Sequence, residues 1–84
     1  MKHYIYIIFS NILDKFYIGV TKNLEDRLQK HNSHHKGYTG KANDWKLMHS
    51  EEYYTKIEAL KREKELKSWK SRKRLKELIS KSDK

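Results

Sequence analysis

The chain of 84 residues contains no cysteine, no proline and only three glycines. Without cysteine it cannot form a disulfide, an iron–sulfur cluster or a thiolate zinc site, so any catalysis must use other side chains. No apolar run approaches the roughly 18 residues of a membrane-spanning helix, and the first residues begin a strand pattern rather than a signal peptide. We therefore expect a single cytoplasmic domain over residues 1–84, with no membrane contact.

Acidic residues are few relative to basic ones. Twenty Lys and Arg oppose eleven Asp and Glu, giving a net charge of +9. Residues 67–84, with eight bases and two acids, contribute +6 of that charge. Such a field attracts polyanions and supplies the salt-sensitive part of nucleic-acid binding. A basic surface kept for solubility is the alternative, and composition alone leaves both interpretations open.

Residues 4–9 and 16–20 are rich in Ile, Tyr, Phe and Val and predict a β-hairpin. Opposed residues of an antiparallel pair have a constant index sum and share a face. An odd sum brings Tyr6 and Tyr17 to one face. It leaves on the other face a wholly apolar set suited to a core: Ile5, Ile7, Phe9, Phe16, Ile18 and Val20. An even sum would mix tyrosines into that set, so the pattern predicts the odd register.

Capping residues mark the expected helices. Asn23 precedes a helix over about residues 24–32, and a capping box at residues 55–58 opens one through about residue 67. A basic helix follows over about residues 72–80, although the sequence leaves open whether the last two helices are one. The mixed aromatic and aliphatic run 45–51 predicts a third, edge-like strand.

These elements predict an α/β domain of the α+β type. We expect a small three-stranded, mostly antiparallel sheet flanked by three helices, including the basic C-terminal helix at about residues 68–84. The helices should pack beside the sheet and leave its tyrosine face as an active surface.

Arg27 and His31 are four residues apart and therefore lie on one face of the first helix. Arginine suits phosphate because its planar guanidinium donates two parallel hydrogen bonds, and histidine can move a proton. Bases at the end of a helix also stabilise the helix dipole, which is the structural alternative.

Glu63 falls within the apolar stripe of the second helix, whereas Glu58 and Glu65 point nearly opposite. A carboxylate at the edge of a core needs a cation, a donor or a metal ion. A structural ion pair with a neighbouring base is the alternative to a functional role.

Aromatic residues among bases can stack on unpaired nucleotides. Tyr38 lies between two glycines without a packing role, so it is a candidate contact to substrate. We expect Trp45 to pack in the core and Trp69 either to stack on bases or to pack the last helix. The adjacent His34 and His35 lack the partners of a zinc site.

Several short motifs follow one another in the sequence: Tyr4–Ile8, Tyr17–Thr21, Asn23–Leu24, Arg27–Leu28, His31–Asn32, Gly37–Thr39 and Ala59–Glu63. In this order they resemble the GIY-YIG nuclease superfamily, in particular its small stand-alone members, from Tyr4 to about Ile79. Tyr4 replaces the glycine of the first half-motif. Val20 stands where some relatives carry a lysine, so no role of that lysine is carried over.

The resemblance implies a metal-dependent endonuclease that hydrolyses phosphodiester bonds in DNA rather than RNA, on structured or single-stranded DNA of the kind found in repair or recombination. Glu63 would hold one Mg²⁺ or Mn²⁺, and no small-molecule cofactor is implied. Tyr6 and Tyr17 would position and deprotonate the attacking water, with Tyr6 preferred as the base, while Arg27 and His31 assist the phosphate. Residues expected to bind nucleic acid are Tyr38, Lys67, Lys70, Arg72, Lys73 and Arg74.

Two other functions remain open at this point. A non-catalytic nucleic-acid-binding module would keep the same residues as structural and phosphate-binding groups. An interaction subunit with a basic docking helix would explain the charge, but it would leave the tyrosine pair unexplained. The sequence gives no oligomeric state.

Overall fold

The computed structural model describes residues 2–33 and 42–82. Three strands and three helices occur within them: β1 (His3–Ser10), β2 (Lys15–Thr21), α1 (Leu24–His31), β3 (Lys46–Tyr53), α2 (Lys56–Trp69) and α3 (Arg72–Ser82). The predicted α+β fold is confirmed, and the strands and helices lie within two residues of their predicted bounds, except that the basic C-terminal helix given as about residues 68–84 begins only at Arg72. Within the described ranges, no helix combines the length and the apolarity that crossing a membrane requires.

The three strands form one antiparallel sheet in the order β2-β1-β3. Tyr6 lies opposite Gly19 and Ile8 lies opposite Tyr17, so the odd register of the hairpin is confirmed. The pairing of β1 with β3 shifts by one residue between Ile7 and Ile8, which marks a bulge in that ladder.

Hydrophobic clusters cover both faces of the sheet. On one face, residues of β1 and β2 pack against both C-terminal helices: Ile5, Ile7, Ile18, Ala59, Leu66 and Leu75. On the other face, Tyr6 and Ile8 pack with Trp45 and with the Leu24 and Leu28 stripe of α1. Because both sides of β1 are covered, its sequence is a continuous run of apolar and aromatic residues and does not alternate between apolar and polar ones.

The expectation of an open tyrosine face is wrong. Tyr6 is only 4% exposed, because α1 and the residues before β3 lie over that face of the sheet. The apolar stripe of α1 must be buried, and the rings of the tyrosine face are the apolar surface available to it. The candidate chemistry therefore lies in a covered cluster with limited access.

Local chemistry accounts for the ends of the helices. The Asn23 side chain accepts a hydrogen bond from the Asp26 amide at 3.0 Å, and Thr55 accepts one from the Glu58 amide at 3.2 Å. Lys70 has a φ of 50°, a left-handed conformation that ends α2 and starts the turn into α3. The last two helices are thus separate.

Candidate active site

Three of the five predicted catalytic side chains form one cluster on the tyrosine face. The Tyr6 hydroxyl is hydrogen-bonded to Nε2 of His31 at 2.8 Å. The ring centroids of Tyr6 and Tyr17 are 6.4 Å apart, and that of His31 lies 5.6 Å from the first and 5.0 Å from the second. The register of the hairpin brings the two tyrosines together, and the last turn of α1 supplies the histidine.

Gly19 makes room for this cluster. A Cβ atom at position 19 would lie 2.6 Å from Cζ and 2.9 Å from Cε2 of Tyr6, and closer still to its hydroxyl oxygen. The phenol of Tyr6 therefore lies directly over the Gly19 backbone, its cross-strand partner. The sequence offered a signal for this contact, because the odd register pairs the two residues, but pattern alone does not give the tilt of the ring.

Burial raises the pKa of the Tyr6 hydroxyl well above its usual value of 10. Negative charge on Tyr17 and Glu63 raises that pKa further, whereas the positive charge of Arg27 lowers it. Tyr6 is therefore protonated at neutral pH.

Arg27 and Glu63 lie close enough for their charges to act on the Tyr6 hydroxyl. Arg27 is exposed on α1, one turn before His31. The Glu63 side chain is 21% exposed and lies 3.5 Å from Nζ of Lys67, whereas the Glu65 side chain is 55% exposed. Of the five predicted catalytic residues, Tyr6, Tyr17 and His31 thus contact one another, and the charges of Arg27 on α1 and Glu63 on α2 act on the Tyr6 hydroxyl.

A divalent metal ion would have a single protein carboxylate here. Among residues 2–33 and 42–82, no group of three His, Cys, Asp or Glu side chains could hold an ion. Mg²⁺ keeps several waters and binds through one or two carboxylates together with substrate phosphate, so a lone and partly exposed Glu63 fits it. Glu63 also forms the ion pair with a neighbouring base that is the structural alternative, since its carboxylate lies 3.5 Å from the Lys67 ammonium.

Trp45 and Asn32 belong to the cluster in a way that the sequence did not show. The Trp45 ring packs against Tyr17 and His31, with centroids 6.4 and 6.5 Å apart. The Asn32 amide accepts a hydrogen bond from the Trp45 backbone N–H at 2.7 Å and donates one to its carbonyl at 3.0 Å. Asn32 therefore ties the end of α1, and His31 with it, to the residues preceding β3.

Hydrogen bonds to Asp44 also hold the residues preceding β3 to the hairpin. The Ser10 hydroxyl donates to Asp44 at 2.6 Å, and the other Asp44 oxygen accepts from the Ile12 amide at 3.0 Å. The Trp45 side of the cluster is thus fixed from both α1 and the hairpin loop.

The predicted nucleic-acid-binding residues are spread over the end of α2 and the start of α3. Lys67, Lys70 and Arg72 line one cavity. Lys73 is exposed on α3, and the Arg74 guanidinium lies 4.2 Å from the centroid of the Trp69 ring. Tyr38 falls outside the described residues.

Comparison with known proteins identifies the family to which this sheet and its tyrosine cluster belong. The profile of the GIY-YIG catalytic domain matches residues 2–76, so the chain belongs to this family, which is a nuclease superfamily.

The relatives are small single-domain proteins of similar length. The UPF0213 protein of Staphylococcus saprophyticus is 42% identical over 80 residues, covering 94% of this chain and 95% of its own length. A UPF0213 protein of Staphylococcus epidermidis is 40% identical over 77 residues, covering 89% of this chain and 92% of its own. The solution NMR structure of a UPF0213 protein from Bacillus halodurans superposes with a TM-score of 0.59 at 27% identity, covering 95% of this chain and 84% of that one.

Proposed function

We propose that this protein is a metal-dependent endonuclease that hydrolyses phosphodiester bonds in DNA. The observation that carries the proposal is the Tyr6–His31 hydrogen bond of 2.8 Å, with Tyr17 beside it and the charges of Arg27 and Glu63 acting on the same hydroxyl. Membership in a family of nuclease catalytic domains supports it.

The Tyr6 hydroxyl and His31 form a path for a proton. Because burial keeps Tyr6 protonated, it can act as a base only if its own proton leaves first. Nε2 of His31 is 2.8 Å away and, in the tautomer that leaves this nitrogen without a proton, can accept that proton as Tyr6 takes one from the attacking water. Because its pKa is high, Tyr6 carries its proton at neutral pH and cannot act as a base alone. The same high pKa makes the Tyr6 phenolate a strong base once His31 takes that proton.

Arg27 and Glu63 supply the charges that phosphate chemistry requires. The exposed Arg27 guanidinium can donate to a phosphate oxygen and neutralise negative charge as the pentacovalent state forms, an effect of about 3 kcal/mol for a well-aimed donor. Glu63 would hold one Mg²⁺ or Mn²⁺, which when bound acts as a Lewis acid toward the phosphate. Tyr17, which is half-buried, would position the attacking water.

The substrate is proposed from charge. The net charge of +9, concentrated in the C-terminal part of the chain, suits a polyanion, with DNA preferred over RNA. Structured or single-stranded DNA of the kind found in repair or recombination is the proposed class.

The test compares Glu63→Gln with Glu65→Gln, a substitution of an exposed glutamate two residues away on the same helix. Labelled single-stranded, nicked, flapped and branched DNA, with RNA beside them, are incubated with Mg²⁺, Mn²⁺ or chelator. We expect cleavage with metal by the wild type and Glu65→Gln, and a loss of at least about 10²-fold in Glu63→Gln. Circular dichroism checks that both variants are folded.

Two results would contradict the proposal. Full activity in Glu63→Gln would remove the assigned metal ligand. Salt-sensitive DNA binding by the wild type with no product under any metal condition would identify a non-catalytic nucleic-acid-binding module instead.

A further inference from the structure

A cavity of about 500 Å³ lies between β2, which is an edge strand, and the two C-terminal helices. Its volume is in the range of pockets that bind small organic groups. Four apolar side chains from β2, α2 and α3 line it: Phe16, Ile18, Leu66 and Leu75. Three of these belong to the buried core and Phe16 packs against it, so the floor of the cavity is a firm apolar surface.

The rest of the lining is strongly basic. It includes the side chains of Lys15, Lys67, Lys70 and Arg72, with Asp14 as the single acid. Asp14 is already paired with Arg72, at 3.0 and 3.3 Å between carboxylate oxygens and guanidinium nitrogens. A net positive rim over an apolar floor fits a ligand that has a flat apolar part and an anionic part.

Two lining residues connect the cavity to the candidate active site. Tyr17 belongs to its wall through its place in the edge strand β2, whereas the Tyr17 ring lies with that of Tyr6 on the sheet face opposite Phe16 and Ile18. Lys67, which also lines it, has its ammonium 3.5 Å from the Glu63 carboxylate. A strand whose scissile phosphate lies at Glu63 would therefore pass Lys67 at the mouth of the cavity.

We infer that this cavity receives the base of an unpaired nucleotide adjacent to the cleaved bond, an inference that rests on the proposed nuclease function. A base offers the flat apolar face, and its flanking phosphates offer the negative charge. Bases within a duplex are stacked and paired, so only a single-stranded, flapped or flipped nucleotide could enter. The cavity thus selects DNA with unpaired nucleotides.

Arg72 is the side chain on which the base would stack. Its guanidinium lies 5.5 Å from the centroid of the Phe16 ring, too close for a base to enter between them, so Phe16 supports the guanidinium and the base would stack on the other side of its plane. Arginine and aromatic faces both bind bases without regard to sequence. The cavity should therefore prefer nucleotides that carry a base over abasic ones, without preferring one base to another.

The experiment measures binding by fluorescence anisotropy in chelator, so that no cleavage occurs. The probes are a short single-stranded oligonucleotide, the same strand with abasic residues, and the blunt duplex. The wild type should bind the base-containing strand about five- to a hundred-fold more tightly than the abasic strand. Arg72→Lys, which keeps the positive charge but removes the planar guanidinium, should reduce that ratio toward one.

Lys70→Gly provides a second variant that is safe for the fold. Lys70 adopts a left-handed backbone conformation that glycine accepts without strain, so the change removes the charge without a conformational cost. It should weaken binding to the base-containing and the abasic strand equally, and lower the slope of log affinity against log salt concentration by about one. The matched control is Lys61→Ala. Lys61 is exposed on the face of α2 that points away from the cavity, so its loss should leave the base-to-abasic ratio unchanged.

Equal binding of base-containing and abasic strands by the wild type would overturn the inference. So would a full base-to-abasic ratio in Arg72→Lys, because the base would then bind elsewhere. Cleavage is assayed in parallel with Mg²⁺. If DNA is cleaved but base-containing and abasic strands bind equally, only the proposed base site is wrong. If the base-containing strand binds more tightly but no DNA is cleaved, the nuclease proposal is wrong and the base site stands.

Discussion

Gly19→Ala tests whether the packing of Tyr6 over Gly19 sets the geometry of the site. The new Cβ would lie 2.6 Å from Tyr6 Cζ, whereas ordinary contacts begin near 3.4 Å, so the ring must move by about 0.8 Å. Forcing an extra methyl group into a packed site costs about 1–3 kcal/mol. Since Gly19 is not in the left-handed region, alanine adds no backbone strain and the effect is steric.

The same movement would displace the Tyr6 hydroxyl from His31, which it contacts at 2.8 Å. A misplacement of about 1 Å in a catalytic group can reduce the rate by about 10²-fold. We therefore expect Gly19→Ala to lower the free energy of unfolding by about 1–3 kcal/mol in urea titrations. DNA cleavage with Mg²⁺ should fall by about 10²-fold.

A double-mutant cycle isolates the cause of the destabilisation. In a Tyr6→Ala background the ring is absent, so Gly19→Ala should become stabilising by about 0.5–1 kcal/mol, the usual preference for alanine over glycine in a strand. An equal loss of stability in both backgrounds would show that the clash is not with Tyr6, and the steric argument would fail. Unchanged activity in the single variant would refute the link between this contact and catalysis.

Two further predictions concern the acid–base groups. Tyr6→Phe should lower the cleavage rate by about 10²–10⁴-fold with a change in stability of at most about 1 kcal/mol, measured by single-turnover kinetics and urea unfolding; a rate near that of the wild type would remove Tyr6 as the base. Despite its burial, hydrogen bonds from Arg62, His49 and Tyr53 lower the pKa of Glu51 from 4.5 to about 2. This lowering of the pKa corresponds to about 3 kcal/mol, reduced to about 2 kcal/mol by solvent screening of a side chain that is 20% exposed. Because the folded pKa is depressed, this stability is present above pH 4.5 and is lost as the pH falls toward about 2. The difference in unfolding free energy between the wild type and Glu51→Gln should shrink over that range, and a difference independent of pH would contradict the assignment.

Local patterns predicted the elements and the hairpin register. Alternation with period two left one register in which Ile5, Ile7 and Ile18 form a wholly apolar face, and burial of that face makes a slip costly. Capping at Asn23 and Thr55 predicted where two helices begin, because a side chain satisfies backbone groups only a few residues away. The inward position of Glu63 followed from helical spacing, which is also local.

The sequence by itself therefore determined the strands, the helices and the register of the hairpin, since each depends on interactions between near neighbours or on a fixed period. The set of candidate catalytic residues came from its resemblance to a known family. Only the tertiary structure decided that β3 pairs with β1, that α1 covers the tyrosine face, and that His31 reaches Tyr6 across 25 positions of the chain. It also created the basic cavity beside Tyr17. Those features arise from the packing of distant elements, where volume and burial choose among arrangements that no local pattern distinguishes.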